Sequence, residues 1–322
     1  MTAVFVTVDT ELSALLHQRG MSGDANFASS MLGQTPAGEF GIGWQMDVLD
    51  RFGLRGVYFV DPMPAMVLGD GPIARTVELV LARGHEVQLH LHSEWLEWAK
   101  DPPVAGRGQN IGDFSLEDQR TVIGWARDTL VRCGAPSPTA FRAGNYGAND
   151  DTLRVLAEMG LAWDSSFNGA YTGRGCAVSL DAGQVDPVPH CGLTELPISG
   201  IWDRPGSLRP AQVCALSSAE MRAGLAHAAE TQRPVFMIVT HSFEMLSRDR
   251  QRPNRAVMRR FESMARMIAQ YPTLHSTGFN GLTLEAPATP PSRAAASTTR
   301  TLTRYAQQAV ATWLYERRLR PA

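Results

Sequence analysis

The stretch Gly84-His-Glu-Val-Gln-Leu-His-Leu-His92 combines a helix stop, a buried strand and two imidazole side chains. Glycine adopts the left-handed conformation that commonly ends a helix, and the residues after Gly84 alternate between apolar and polar as in a strand. Residues two apart on a strand point to one face with their Cα atoms about 6.5–7 Å apart, so both imidazoles can reach one ion at about 2.0–2.1 Å. We therefore predict that His90 and His92 end a strand at a metal site, with a pair of hydrogen-bonded core histidines as the alternative.

Outward from this stretch, strand-like and helix-like patterns alternate along the chain. Apolar runs with period two predict strands, and apolar positions three or four apart predict helices. The predicted strands cover 4–8, 57–60, 87–92, 139–142, 161–163, 194–197 and 235–240. The predicted helices cover 41–52, 72–83, 115–132, 149–159, 218–231 and 254–270, with caps at Ser115, Asn149, Ser218 and Asn254.

This alternation predicts an α/β fold built on a parallel sheet with short right-handed crossovers. About seven β–α units over about 280 residues favour a barrel, incomplete or deformed, over an open sheet. An open doubly wound sheet is the alternative, but it usually carries a glycine-rich turn after its first strand, where this chain has Asp9-Thr-Glu11.

Composition excludes several classes of function. The chain has 322 residues, 44% hydrophobic residues and a formal net charge of −2, which offers no global field for nucleic acid. Lys100 is the single lysine, so a phosphate-binding loop of the G-x-x-x-x-G-K type is absent and lysine-based covalent catalysis is disfavoured.

The cysteines and the two ends of the chain predict its setting. Four widely spaced cysteines do not suggest a disulfide framework, and we interpret the pair His190-Cys191 as part of a solvated loop. The N-terminal sequence lacks the features of a signal peptide and of a transmembrane segment, so a cytoplasmic location is expected. We divide the chain into a barrel over 1–285, a linker rich in Pro, Ala, Ser and Thr over 286–300 and an amphipathic helix over 301–322.

Two interpretations of the C-terminal helix remain open. Leu302, Ala306, Val310 and Trp313 fall at helical spacing, and the favoured interpretation is a helix that packs back on the domain. The alternative is a docking element for a partner, a membrane surface or a second copy of the chain.

Ionisable side chains collect at the ends of the predicted strands. In parallel barrels, catalytic residues sit at the carboxyl ends of the strands, and here those ends carry Asp9, Glu11, His90, His92, Arg142, Asp164 and His241. Two histidines and a carboxylate can hold a divalent ion, a second carboxylate can act as base and a further histidine as acid. This set predicts metal-assisted hydrolysis of an acyl bond. A serine hydrolase is disfavoured because no G-x-S-x-G elbow occurs.

The ordered set of motifs resembles the polysaccharide deacetylase, or NodB-homology, family (carbohydrate esterase family 4), as a divergent branch. The resemblance runs from about Val4 to about Leu284 and rests on the motifs Val-Thr-Val-Asp9-Thr-Glu11, Gly-Val-Tyr-Phe-Val60, Gly84 to His92, Phe-Arg142-Ala-Gly-Asn-Tyr-Gly147, Trp163-Asp164-Ser-Ser-Phe and Val-Thr-His241-Ser. It implies a distorted (β/α)7 barrel that removes N-acetyl groups from sugars with a divalent metal, for which zinc is expected.

The resemblance also implies roles for individual residues. Asp9 would be the base, His241 the acid and His90 a metal ligand, while Arg142 would steady Asp9. The family usually has adjacent aspartates where this chain has Asp9-Thr-Glu11, so Glu11 becomes the acidic ligand.

The third metal ligand is left open by the sequence. The family's second histidine falls at Glu94, and His92 is extra. Geometry favours His92 if the strand continues and Glu94 if a helical turn begins at Leu91. Substrate contacts are expected from Tyr146, Asp164 and Trp95, with core packing as the other interpretation of Trp95.

Three functions follow from these expectations. The first is deacetylation of an N-acetylated sugar, as an intermediate of glycan biosynthesis. The second is hydrolysis of a small non-sugar amide or cyclic imide on the same barrel. The third is a binding or assembly module without catalysis.

Overall fold

The computed structural model describes residues 1–105, 108–284 and 289–315. Its strands are β1 (Thr2–Thr10), β2 (Gln34–Thr35), β3 (Gly38–Glu39), β4 (Gly56–Val60), β5 (Glu86–Leu91), β6 (Ala140–Ala143), β7 (Trp163–Asp164), β8 (Val188–His190), β9 (Leu193–Glu195), β10 (Gly200–Arg204), β11 (Ser207–Pro210), β12 (Val235–His241) and β13 (Leu274–Ser276). Its α-helices are α1 (Ala14–Gln18), α2 (Gly23–Phe27), α3 (Ile42–Arg51), α4 (Ala65–Leu68), α5 (Gly71–Leu81), α6 (Leu116–Arg132), α7 (Asp150–Glu158), α8 (Ser218–Glu230), α9 (Arg255–Gln270) and α10 (Thr298–Tyr315).

The main sheet is a curled, incomplete barrel. Its strands follow the order β12-β1-β4-β5-β6-β7-β9-β8, and all neighbouring pairs in this order are parallel except β8 with β9. The seven strands from β12 to β9 are therefore parallel to their neighbours, and β13 adds a short parallel pairing with the first residues of β1. On the open side, the N–H groups of Ser199 and Val213 donate to carbonyls of β12. The predicted distorted barrel is confirmed.

The first strand forms the centre of this architecture. Every residue of β1 is buried, as expected for a parallel strand covered on both faces. Phe5 on one face packs against Phe279 with ring centroids 4.8 Å apart, and Phe279 in turn contacts Phe59. Burying one such ring contributes about 1.5–3 kcal/mol, so β1 is held by apolar packing before any polar contact is counted.

Most helix starts agree with the side-chain caps predicted from the sequence. The side chains of Ser115, Asn149 and Asn254 accept hydrogen bonds from backbone N–H groups in the first turns of α6, α7 and α9. The prediction for α8 is wrong by one residue. Ser217 is the cap, because its hydroxyl oxygen accepts from the N–H of Glu220 and its own N–H donates to the Glu220 carboxylate, which completes a capping box.

The C-terminal helix α10 is held by a buried ion pair. Arg304 is 1% exposed and donates to Asp203 at 2.5 Å and to Glu220 at 2.9 Å. The predicted apolar packing face is wrong, because Leu302, Val310 and Trp313 are 58–64% exposed and the arginine side faces the domain. The helix begins at Thr298, and the predicted stretch 316–322 lies outside the described residues. None of the helices described here is long and apolar enough to span a bilayer.

Replacing Arg304 with Met should release α10. The substitution leaves Glu220 as a buried carboxylate without its cation and Asp203 with Arg209 alone, a loss of about 3–5 kcal/mol. Urea unfolding and limited proteolysis of α10 measure the effect. The matched control is Arg259→Met, which removes an exposed arginine on α9. Equal stability of the two variants would show that the ion pair does not anchor the helix.

Candidate active site

The strand register brings the predicted rim residues to one end of the barrel. Asp9 lies opposite His241 in the pairing of β1 with β12, and His90 lies opposite Arg142 in the pairing of β5 with β6. Glu11 follows the end of β1. Because all these strands are parallel, their carboxyl ends meet at the same edge, and residues far apart in sequence become neighbours.

Glu11, His90 and His92 converge on one point. The Nε2 atom of His90 lies 3.5 Å from Oε2 of Glu11, the Nε2 atom of His92 lies closer to the same oxygen, and the three ligand atoms are all within 4.8 Å of one another. Bonds of about 2.0–2.1 Å place tetrahedral ligands roughly 3.3 Å apart. Two imidazole nitrogens and a carboxylate oxygen at this spacing fit a divalent ion such as zinc.

The outer nitrogens of both imidazoles are already engaged. Nδ1 of His90 lies 2.7 Å from the carbonyl oxygen of Arg142, and Nδ1 of His92 lies 3.1 Å from the Glu94 carboxylate. Each ring can therefore donate from Nδ1 and points its Nε2 atom at Glu11, the arrangement typical of metal-binding histidines. Burial would lower the pKa of His92, but Glu11 and Glu94 raise it well above its usual value, so a bound ion would replace the proton on its Nε2. The backbone of His92 is still extended and the helical turn begins at Ser93. Glu94 thus orients His92 instead of joining the three converging atoms.

Asp9 is buried beside a fully buried arginine. Its Oδ1 accepts a hydrogen bond of 2.6 Å from Arg142, which also donates to the side chain of Thr7 and to the carbonyl and hydroxyl oxygens of Ser165. Burial alone would raise the pKa of Asp9, but the charges of Arg142, His90 and His241, together with the hydrogen bond from Arg142, outweigh it and hold that pKa below its usual value. Asp9 is therefore a carboxylate at neutral pH, and Arg142 contacts only its Oδ1.

His241 is the most exposed of these groups, at 27% of its side chain. Its Nδ1 lies 3.3 Å from Oε1 of Glu244, and Glu244 also accepts from Gln212 and Thr240. Burial would lower the pKa of His241, but the hydrogen bond and charge of Glu244 raise it to about 9. At neutral pH the imidazole is protonated and can donate from Nε2.

The residues predicted to contact substrate differ in accessibility. Tyr146 is 8% exposed and, with Asn145, has a left-handed backbone (φ 57° and 56°) that is uncommon outside glycine and often marks functional sites. Burial and the nearby charge of Asp9 raise the pKa of its hydroxyl.

Trp95 and Asp164 are instead buried completely. Trp95 packs against Trp98 and His17, so core packing is the better interpretation and a stacking surface for sugar is not available there. The carboxylate of Asp164 is bonded to the N–H and hydroxyl of Ser166 at the end of β7. Neither side chain reaches the rim, because the predicted exposure depended on neighbours that the sequence did not reveal.

Sequence reasoning missed two carboxylates at the site. Asp61 follows β4, is 1% exposed and accepts from the N–H groups of Met63 and His92; burial raises its pKa to about 7. Its signal was the same as that of Asp9, an acid directly after an apolar strand. Glu244 lies three residues after His241. That spacing predicts a contact only if the chain turns directly after β12, which the sequence alone does not show.

The fold was compared with those of known proteins. No protein-family profile and no curated sequence matches the chain. Among solved structures, a Mycobacterium smegmatis protein assigned to the polysaccharide deacetylases superposes with a TM-score of 0.54 at 16% identity, over 95% of this chain and 91% of that one. The fold is that of the polysaccharide deacetylases. The fold resemblance predicted from the motifs is thereby confirmed.

Two further solved structures also match the chain. A family 4 carbohydrate esterase from Streptomyces lividans, solved with acetate, matches at 11% identity over 92% of this chain and 98% of that one, with a TM-score of 0.42. A 4-alpha-glucanotransferase from Thermococcus litoralis matches at 9% identity over 88% of this chain and 41% of that one, with a TM-score of 0.53. Since proteins of different activity share the fold, function must be argued from the site.

Substituting Gly144 by Ala should weaken metal binding. A Cβ at this position, just after β6, would stand 2.7–2.8 Å from ring atoms of His92, which would have to rotate away from Glu11. Titration with zinc should show an affinity at least tenfold lower than that of the unmodified protein. The control is Gly43→Ala in α3, where an added Cβ meets nothing within 4 Å. Unchanged affinity in the Gly144 variant would mean that His92 does not bind the metal.

Proposed function

We propose that the protein is a metal-dependent hydrolase that removes an N-acetyl group from a sugar. The observation that carries the proposal is the convergence of Glu11, His90 and His92 beside a carboxylate and a protonated imidazole on separate strands. The deacetylase fold of the structural neighbours supports the same reaction class. A cytoplasmic location and the use of zinc remain predictions.

Glu11, His90 and His92 would hold the ion through Oε2 and the two Nε2 atoms. When bound, a divalent ion supplies Lewis acidity, which lowers the pKa of water to about 7 and polarises a carbonyl. The protein's part is to orient both imidazoles, which the Nδ1 contacts to the carbonyl of Arg142 and to the Glu94 carboxylate achieve. The carboxylate of Asp61 accepts a hydrogen bond from the backbone N–H of His92 and so holds that backbone in place.

Asp9 and His241 would divide the proton transfers. Asp9 takes a proton from the water that attacks the acetyl carbon, because Arg142 occupies only one of its oxygens. His241 donates its Nε2 proton to the amine nitrogen as the C–N bond breaks, which yields acetate and a free amino sugar. Glu244 supports this step because it favours the charged imidazole in the resting state.

The same groups would hydrolyse a small non-sugar amide, so the substrate has to be tested separately from the chemistry. A panel of N-acetylated sugars and cyclic amides, with released acetate or ring-opened product as the readout, distinguishes the two. Turnover of the acetylated sugars supports the proposal. Turnover confined to cyclic amides would replace the substrate class and keep the mechanism, and no turnover in a metal-loaded protein would favour a binding module.

Asp9→Asn should abolish turnover and lower the stability, because it leaves the buried Arg142 without its counter-charge. Activity is therefore compared at a temperature at which the variant is still folded. The amide cannot accept the proton from water, and removing a general base costs roughly 10²- to 10⁴-fold in kcat. Acetate release measures activity and circular dichroism measures folding, with the exposed Asp128→Asn as the control. Retained activity in the Asp9 variant would contradict its role as base.

Glu244→Gln should shift the pH profile of the enzyme. Without the carboxylate, the pKa of His241 falls from about 9 toward the ordinary value near 6.5, so the imidazole loses its proton at lower pH. The basic limb of kcat/KM should move to lower pH while activity at acidic pH is kept. Glu262→Gln, a surface substitution on α9, is the control. A basic limb that does not move would exclude His241 as the titrating acid.

A further inference from the structure

A second group of metal-binding side chains lies away from the rim residues. The hairpin that joins β8 to β9 carries His190 and Cys191, and helix α7 begins with Asp150. Nε2 of His190 lies 3.0 Å from Oδ1 of Asp150. The carboxylate oxygen, imidazole nitrogen and cysteine sulfur all lie within 4.8 Å of one another. The group at the barrel rim, Glu11, His90 and His92, contains no sulfur, so the two groups differ in their ligand atoms.

The hairpin turn holds Cys191 in a left-handed backbone conformation, which is energetically unfavourable for residues with a side chain. Cys191 and Gly192 both have positive φ, 49° and 95°. Such two-residue turns favour Asn-Gly or Asp-Gly, because side chains other than these tolerate the left-handed region poorly. A cysteine in the first position is an unusual choice for the turn alone. Its use is explained if the thiolate serves as a ligand.

The surroundings of the three side chains suit partial burial of an ion. The side chains of Asp150 and His190 are 23% and 20% exposed, and Cys191 is half-buried. The neighbouring cation, Arg154, is paired with Asp151 at 2.5 Å. Oδ1 of Asp150 contacts both Nε2 of His190 and the N–H of Ser179, which holds the carboxylate in place.

We propose that Asp150, His190 and Cys191 form a second metal site, which takes a borderline-soft divalent cation such as zinc. Sulfur, imidazole and carboxylate are the ligand types of zinc, and water completes a tetrahedron. A separation of 3.0 Å between His190 Nε2 and Asp150 Oδ1 is close to the roughly 3.3 Å expected of neighbouring ligands. The ion would tie the last strands of the sheet to α7, so its role is structural.

The site explains how an exposed sheet edge is secured. Strand β8 is the last strand of the sheet order and pairs with β9 alone on this path. Unprotected edge strands are prone to fray and to pair with other chains. A metal bridge from the hairpin to α7 would fasten this edge without further apolar burial.

Cobalt titration tests the proposal directly, because a sulfur-to-cobalt charge-transfer band can come only from a cysteine ligand. The full-length protein, freed of metal and kept reduced, is titrated with Co²⁺ while absorption and bound metal are measured. We expect two equivalents and a charge-transfer band. The variants C191A and H190A should each bind one equivalent and lose the band. The variant H92A should also bind one equivalent but keep the band.

Matched variants separate loss of the site from loss of the fold. In an H92A background, Zn²⁺ should raise the midpoint of thermal unfolding, and this gain should vanish in the double variant H92A/C191A. H275A removes an exposed histidine elsewhere and should change neither stoichiometry nor band. A protein that shows no charge-transfer band, or a C191A variant that retains it, would overturn the proposal. The charge-transfer band and its loss in C191A report on this site alone, whereas the other equivalent of Co²⁺ belongs to Glu11, His90 and His92. A single equivalent with the band would therefore support this proposal and count against the proposed metal centre at the barrel rim.

Discussion

The buried guanidinium of Arg142 is the constraint on which the rest of the site depends. It is fully buried and sits 4.3 Å above the ring of Phe59. An unpaired charge in this position would cost several kcal/mol. Asp9, Thr7 and Ser165 satisfy it from β1 and from the segment after β7, so three parts of the sheet are fixed to one another. The same interaction that solves a folding problem therefore keeps Asp9 ionised at the rim.

The backbone of Arg142 also contributes to the metal group. Its carbonyl oxygen accepts from Nδ1 of His90, so one residue sets the charge of the base and the orientation of a ligand. Glu94 does the same for His92, and Gly144 leaves room for that ring. Polar groups placed by parallel strands are thus locked by short-range contacts from the loops that follow the strands. The strand register fixes where each site residue lies, and the loop contacts fix the direction in which its side chain points.

Much of this arrangement could be predicted from the sequence because local patterns carry it. The alternation around His90, the caps at Ser115, Asn149 and Asn254 and the acid after β1 are visible without a structure. The choice between His92 and Glu94 was not, because it depends on where the strand ends, which tertiary contacts decide. The burial of Trp95 and Asp164 and the arginine-side docking of α10 depend on partners distant in sequence, such as Asp203 and Glu220. Asp61 could be predicted by the same reasoning as Asp9, because it also directly follows an apolar strand.

The central claim is that Glu11, His90 and His92 hold a catalytic divalent ion beside the Asp9–Arg142 pair. Anomalous diffraction from crystals of the zinc-loaded protein, collected on both sides of the zinc absorption edge, tests it most directly. The account predicts an anomalous peak bonded to Oε2 of Glu11 and to Nε2 of both histidines, with Glu94 still hydrogen-bonded to Nδ1 of His92. A peak coordinated by Glu94, or no peak among these side chains at full zinc loading, would contradict it.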